Sequence, residues 1–427
     1  MITPPGIHHS RPTADQLAAA HDDAATQIAD GIWMSRGLSN AYMISGASRR
    51  IIINTGLGFE GPIHRALFDA VDDRPTALVI ITQGHYDHVG GIKHFLEADG
   101  STQVAAGEEW ATWRADNDRL ATFRAKRAAF AFLPRVLAGI EHVAQRFPDA
   151  DTSQGEITPT IEVSAPLTLD IEGVRLQLIP VRGGETRDSL VVWLPEQKTC
   201  FTGNTFGPLF AHVPNFVTLR GDRYRDALDY VDTVETVRAL GAEVLITGHW
   251  DPITGADLID RELTHLRDAV QHTHDRTVEG MNDGKDVYTL MREITLPPEL
   301  DVGENYGLTR WNVRAIWENY AGWFHARSTT ELYAVAPDEA HPDLVRLAGG
   351  PDPVAAQARR RLADGDALAA IQLAEAARTV DPDHVEALQV LHDAHRSLRE
   401  ASTNFWEQAW LSRQIDQLTP TNSEPTS

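Results

Sequence analysis

Residues 78–91 read LVIITQGHYDHVGG, a run of Leu78, Val79, Ile80 and Ile81 that gives way abruptly to His85, Asp87 and His88. An apolar run without polar alternation fits a strand covered on both faces. The polar cluster therefore stands at the rigid end of a buried strand. Two imidazoles and a carboxylate within four residues suit a divalent cation that takes nitrogen and oxygen ligands. Taken alone, the same residues also fit a short polar loop at the surface.

A chain of 427 residues exceeds one ordinary core, so two domains are expected. Its net charge of -23 argues against nucleic acid as a partner, because phosphate binding needs a basic surface. Cys200 is the only cysteine, which excludes an intrachain disulfide and a thiolate-rich metal cage and suits a reducing compartment. The first thirty residues lack an apolar core behind a basic start, and no apolar stretch approaches membrane-spanning length. A cytoplasmic protein with no membrane partner is the expectation. His8 and His9 fall in a polar, proline-containing tail, residues 1–30, and read as tail residues rather than ligands.

Residues 31–53 carry two apolar runs around a Ser-Asn turn, a strand pair that enters Asn54-Thr55-Gly56. Helical spacing follows over 61–71, and Gly90-Gly91 predicts a tight turn into a helix with Ile92, Phe95 and Leu96. The tract 108–147 is helical and mixes Trp110, Phe130, Phe132 and Leu133 with Arg124, Arg127 and Arg135. A packed aromatic stripe with a solvated basic face explains it, as does a basic lid that attracts an anionic substrate. Strands return at 161–163, at 174–179 running into Gly183-Gly184-Glu185, and at 190–194. Cys200-Phe201-Thr202 runs into Gly203-Asn204, a helix spans 222–240, and the strand at 243–247 ends in Gly248-His249. His85, Asp87, His88, Glu185, Asn204 and His249 thus each lie just past an apolar strand. Such ends gather at one sheet edge, where α/β proteins place their sites, and the metal reading gains its main support there. Residues 260–418 read as helix throughout. Ala363, Ala367, Ala370, Leu373, Ala374 and Ala377 recur at helical spacing and, with the helix after Asp381-Pro382, form a pair similar to one tetratricopeptide-type hairpin.

This order of strand-end residues resembles the metallo-β-lactamase superfamily, an αββα sandwich with a His-x-His-x-Asp-His loop followed by three further ligands. It is most similar to the alkylsulfatase branch. Glu185 in GGETRDSL matches that branch's fourth ligand, His249-Trp250-Asp251-Pro252 its last, and Thr218-Leu219-Arg220-Gly221 an element whose arginine contacts sulfate. Met281-Asn282-Asp283-Gly284, Leu296-Pro297-Pro298-Glu299-Leu300 and Tyr320-Ala321-Gly322-Trp323-Phe324 resemble its dimerisation domain. The resemblance implies a catalytic domain over 31–259, a helical dimerisation domain over 260–418 and a short tail at 419–427.

Within that resemblance, Gln83 stands at the first histidine and Asn204 at the carboxylate that bridges two metals. A neutral carboxamide is a poor partner for a dication. Gln83, His85 and Glu185 form a weakened half, whereas Asp87, His88 and His249 remain adequate for one ion with an open position. One firmly bound divalent metal is expected, zinc first with manganese and iron also compatible, and a second weak or absent. A further arrangement has His85 and Glu185 join the same ion, with Gln83 and Asn204 as weak or outer partners. Phe130 and Phe132 replace pocket tyrosines, Asn54 replaces a supporting aspartate, and no sterol-carrier-like domain follows. These changes argue against a long-chain alkyl sulfate.

The expected activity is that of a metallo-hydrolase whose metal-activated water attacks a sulfate ester, another ester or an activated ether. Asp87 would be ligand or base, and Arg220 would hold the anionic portion of a small-molecule substrate. The rival expectation is a catalytically impaired structural subunit. The assembly is accordingly a homodimer or a heteromer with an active paralogue.

Overall fold

The structure, a computed structural model, describes residues 6–418. The expected tail at 419–427 lies outside the described residues. Seven strands form the first sheet in sequence order: β1 (Thr26–Ala29), β2 (Ile32–Ser35), β3 (Ala41–Ser45), β4 (Arg50–Ile53), β5 (Thr76–Ile80), β6 (Gln103–Gly107) and β7 (Ile161–Val163). Pairing is antiparallel as far as β4 and parallel from there to β7. The second sheet runs in the order β13 (Ile253–Thr254), β12 (Val244–Thr247), β11 (Thr199–Gly203), β10 (Leu190–Leu194), β9 (Val174–Pro180) and β8 (Leu167–Ile171).

Side-chain alternation makes these sheets a sandwich. Leu78 and Ile80 of β5 point inward and join Ile51, Ile53, Leu190, Val192 and Phe201 in a core between the sheets. Val79 and Ile81 point outward onto Phe68 and Phe95, Phe68 lying in helix α1 (Gly61–Asp69). The second sheet's outer face, with Val191, Cys200 and Leu245, is covered by α5 (Ala227–Ala239) and α6 (Ala256–Asn282). The expected αββα architecture is therefore present, and β5 is buried on both faces because each face has its own core.

Local differences from the sequence reading have physical causes. The apolar run at 32–44 holds two strands, folded at Arg36–Asn40, and an additional strand, β1, forms within the expected N-terminal tail. Strand β8 shows only a weak pattern because its inward residues are half-buried. After Gly91 the chain makes a single 3-10 turn, Ile92–His94, in place of a helix, and a short helix α2 (Tyr86–Val89) precedes it. The basic tract is two helices, α3 (Trp110–Arg119) and α4 (Ala121–Arg146).

The chain divides into two compact units after Tyr320. The reason is α6, whose Ile259, Leu263, Leu266 and Val270 are buried in the core of the second sheet. Helices α7 (Val287–Glu293) and α8 (Thr309–Ala321) follow, separated by irregular chain. Residues 260–418 are thus helical only in part. The second unit contains α9 (His341–Leu347), α10 (Pro351–Ala363), α11 (Ala367–Arg378), α12 (Val385–Ala401) and α13 (Phe405–Leu418). Ala355, Ala358, Ala370, Ala374, Ala377 and Ala387 fill its core, so the helices approach closely, and the expected helical hairpin is realised by α11 and α12. Among the described residues no helix is long and apolar enough to cross a membrane.

Phe201 packs edge-on against Tyr42 of the opposite sheet, with ring centroids 5.3 Å apart. Phe201→Ala should lower unfolding stability by about 3–5 kcal/mol, read from the shift of a urea transition.

Candidate metal-binding and active site

The two sheets are tied together at one end, and the site is built on those ties. Asn40 N donates to Gly248 O at 2.8 Å, Leu190 N donates to Thr82 O at 2.8 Å, and Tyr42 Oη donates to Thr247 O. These bonds bring the ends of β5, β11 and β12 to one edge. Gly84 is required there: a Cβ on it would lie 2.0 Å from Trp113 of α3. Gly248 is required for a similar reason, since its Cβ would meet Asn204 Oδ1 at 2.1 Å. Asn54 does not enter the site; its side chain accepts from Thr82 N at 3.0 Å and fixes the strand end.

All six strand-end residues of the sequence reading converge, but in two differently wired halves. Glu185 is 6 % exposed, and one carboxylate oxygen, Oε2, accepts from Gln83 Nε2 at 3.2 Å and from Asn204 Nδ2 at 3.3 Å. His85 Nδ1 lies 3.2 Å from the same oxygen. Arg220 Nη2 is 3.1 Å from His85 Nε2. On the other side of the ring, Gln83 Nε2 lies 2.9 Å from His85 Nδ1. Both nitrogens of His85 are thereby committed to protein partners. This half is the poorer fit to an ion by donor type, because Gln83 and Asn204 bring neutral carboxamides where a dication needs charged or imidazole ligands.

The other half keeps the donor chemistry of a metal site. Asp87 Oδ2 accepts from Ser39 Oγ at 2.5 Å and lies 3.5 Å from His88 Nε2. Burial pushes the His88 imidazole down to about 4 against the pull of Asp87, and burial likewise lowers His249. Both rings are neutral at physiological pH, the form that ligates metal. His249 Nε2 accepts from Asn204 Nδ2 at 3.1 Å, while Asn204 Oδ1 is buried without a partner. The ligand atoms of Asp87, His88 and His249 are not gathered within 4.8 Å of one another, so an ion would have to draw them together. By donor type this half fits a divalent ion.

Charge is compensated around Glu185 by residues that the strand-end pattern passed over. Asp222 accepts from Arg220 Nε at 2.7 Å and lies 3.5 Å from Arg124 Nε. Arg225 donates to the Glu185 backbone carbonyl at 3.1 Å. Burial opposes ionisation of Glu185, yet His85, Arg225 and Arg220 hold its carboxyl well below the usual range. Asp222 follows Arg220 by two residues, which is the one sequence signal that could have found it. Ser39 had no signal beyond its place in a turn.

A cavity of about 410 Å³ opens above these groups. Its floor includes His85, Asp87, Glu185, Asn204, Arg220 and His249, and its wall is mostly apolar, with Leu17, Leu38, Leu57 and Phe132. Phe130 is not among the lining residues. Arg124 lines it and Arg127 does not, so the basic helix contributes one cation beside an apolar face.

Glu60 organises that wall. Its buried carboxylate accepts from Ala20 N, Leu38 N and Leu57 N at 2.9, 2.8 and 3.0 Å, binding three separate segments together. Burial raises its pKa from 4.5 to about 7 despite these bonds. The folded chain therefore holds an extra proton between those values, and this contribution to stability is full below 4.5 and lost as pH rises through 7. Glu60→Gln should remove that dependence from unfolding curves taken across the window. At fixed pH it should cost about 1–3 kcal/mol, because the Leu57 N–H loses its acceptor.

Residues 34–249 match the model of the metallo-beta-lactamase superfamily, and residues 287–418 match that of alkyl sulfatase dimerisation. A linear primary-alkylsulfatase of Pseudomonas sp. (strain ATCC 19151) is 28% identical over 389 residues, covering 86% of this chain and 72% of that protein. An alkyl/aryl-sulfatase of Saccharomyces cerevisiae is 28% identical over 420 residues, covering 93% of this chain and 64% of that protein. The solved stereoselective inverting sec-alkylsulfatase of Pseudomonas sp. superposes with a TM-score of 0.78 at 23% identity over 93% of this chain and 66% of that one. The chain spans about two thirds of the length of these relatives.

Proposed function

We propose that this chain, which belongs to the metallo-beta-lactamase superfamily, is a metal-dependent hydrolase of sulfate esters carrying a compact apolar group. The observation that carries the reading is the cavity itself: Arg220, Asp87 and His249 share one floor beneath an apolar wall, with His88 buried directly behind Asp87. The similarity to alkylsulfatases supports the same substrate class. The dimerisation match supports a homodimer as the working assembly.

Asp87, His88 and His249 would hold one divalent ion, zinc by preference for this nitrogen and oxygen set. When bound, the ion supplies Lewis acidity and a lowered water pKa. The remaining tasks fall to the chain. Two of the five N–H donors of Arg220 are taken by Asp222 and His85, which leaves donors for a sulfate oxygen. Asp222 fixes the guanidinium in place, so little side-chain entropy is lost when substrate arrives. Ser39 orients Asp87, and the apolar wall receives the alcohol portion and excludes water.

His88→Ala should lose one metal equivalent together with activity toward a secondary alkyl sulfate, and full turnover by metal-stripped protein would refute the proposal. Arg220→Ala should lower kcat/KM about 10- to 100-fold, the worth of a hydrogen bond to a charged group. Replacing the two carboxamides, as Gln83→His with Asn204→Asp, should raise bound zinc by one equivalent in elemental analysis. An unchanged metal content would show that Arg220 on His85, and not the amides, keeps that half closed.

A further inference from the structure

The N-terminal segment carries a second constellation of metal donors, remote in sequence from the site above. Residues 7–9 form a 3-10 turn whose His8 and His9 rings lie 4.0 Å apart between centroids. Both reach one carboxylate. His8 Nε2 is 3.4 Å from Asp301 Oδ1, and His9 Nε2 is 2.9 Å from Asp301 Oδ2. Among the described residues this is the group of three whose ligand atoms all lie within 4.8 Å of one another. The expectation that His8 and His9 are tail residues is overturned in that respect, since both pack onto a distant segment of the chain.

We propose that His8, His9 and Asp301 form a structural site for a zinc-class divalent ion. At metal–ligand distances of about 2.0–2.1 Å, adjacent donors stand about 2.9 Å apart at a right angle and about 3.3 Å apart at a tetrahedral angle. The two imidazole–carboxylate separations, 3.4 and 2.9 Å, lie close to those values, and all three ligand atoms fall within 4.8 Å of one another. Two imidazoles and one carboxylate favour zinc, nickel or copper over magnesium or calcium, which prefer all-oxygen shells. His9 and Asp301 are about half exposed, which leaves room for water to complete the shell.

His212 borders the site but is not a ligand. Its ring stands edge-on to His8 at 5.6 Å, and its Nδ1 accepts from Asn305 N at 3.2 Å, so its proton is held on Nε2. The same wiring shows what the ion would fasten. Ala14 N donates to Asn305 Oδ1 at 2.9 Å, and Ile7 N donates to Glu262 Oε2 at 3.1 Å. The segment from Ile7 to Leu17 is thus laid along 301–306. Leu17 and Tyr306, at the far ends of these two segments, both line the cavity. An ion at His8, His9 and Asp301 clamps the two segments together and steadies the cavity wall from outside.

Equilibrium dialysis of the full chain against zinc alone, with magnesium as a control, tests this. Wild type should bind one zinc equivalent more than His9→Ala and than Asp301→Asn, and magnesium should not replace it. Zinc should also raise the melting temperature of wild type more than that of either variant. His9 is exposed, so its removal leaves folding intact. His88→Ala separates the two sites: it should retain this equivalent whether or not the reading of the main site holds. Equal zinc content in wild type, His9→Ala and Asp301→Asn would overturn the proposal.

Discussion

The burial of one carboxylate, that of Glu185, is the constraint around which the site is arranged. Removing an ion from water costs several kcal/mol unless partners replace its hydration. Here a single oxygen is met by Gln83, Asn204 and His85, with Arg220 and Arg225 supplying positive charge nearby. Each partner is then fixed in its own role. His85 is held between Gln83 and Arg220, Arg220 is directed between His85 and Asp222, and the Asn204 amide presents its nitrogen to Glu185 and His249. Two neutral carboxamides and a guanidinium thus do electrostatically what a cation would do in the same place.

The fold makes such burial possible by supplying strand ends from both sheets to one edge. Hydrogen bonds from Asn40 to Gly248 and from Leu190 to Thr82 are backbone contacts that any sequence could make, yet they need the sheets to stack in this register. The stacking follows from alternation, with Leu78 and Ile80 in one core and Val79 and Ile81 in another. Packing, strand ends and site are three consequences of the same pattern.

That pattern is what made the fold and the convergence of His85, Asp87, His88, Glu185, Asn204 and His249 legible in the sequence. Long apolar strands followed by polar residues carry a local signal. Ser39 and Glu60 carry none, because Ser39 acts on Asp87 and Glu60 on Ala20 and Leu38, all distant in sequence, and Asp222 is marked only by its place two residues after Arg220. The commitment of both His85 nitrogens was unreadable for the same reason: it depends on Arg220, 135 positions further on. Strand β1 and the placement of His8 and His9 were missed where polar composition suggested a tail. Their order comes from pairing with β2 and from Asp301, not from local propensity. The packing of α6 onto the second sheet was unreadable too, because α6 looks like any amphipathic helix until the sheet it covers is known.

Strand β5 also sets where the chain tolerates changes in length. A one-residue insertion between 76 and 81 would exchange its two faces, sending Val79 and Ile81 inward and Leu78 and Ile80 onto the helices. Both faces are apolar, so such a slip would leave hydrophobic burial nearly unchanged while turning His85 and Asp87 away from the cavity. Hydrophobicity alone therefore does not guard the register. Thr82, bonded to both Asn54 and Leu190 at the strand's end, acts as the stop that indexes the loop.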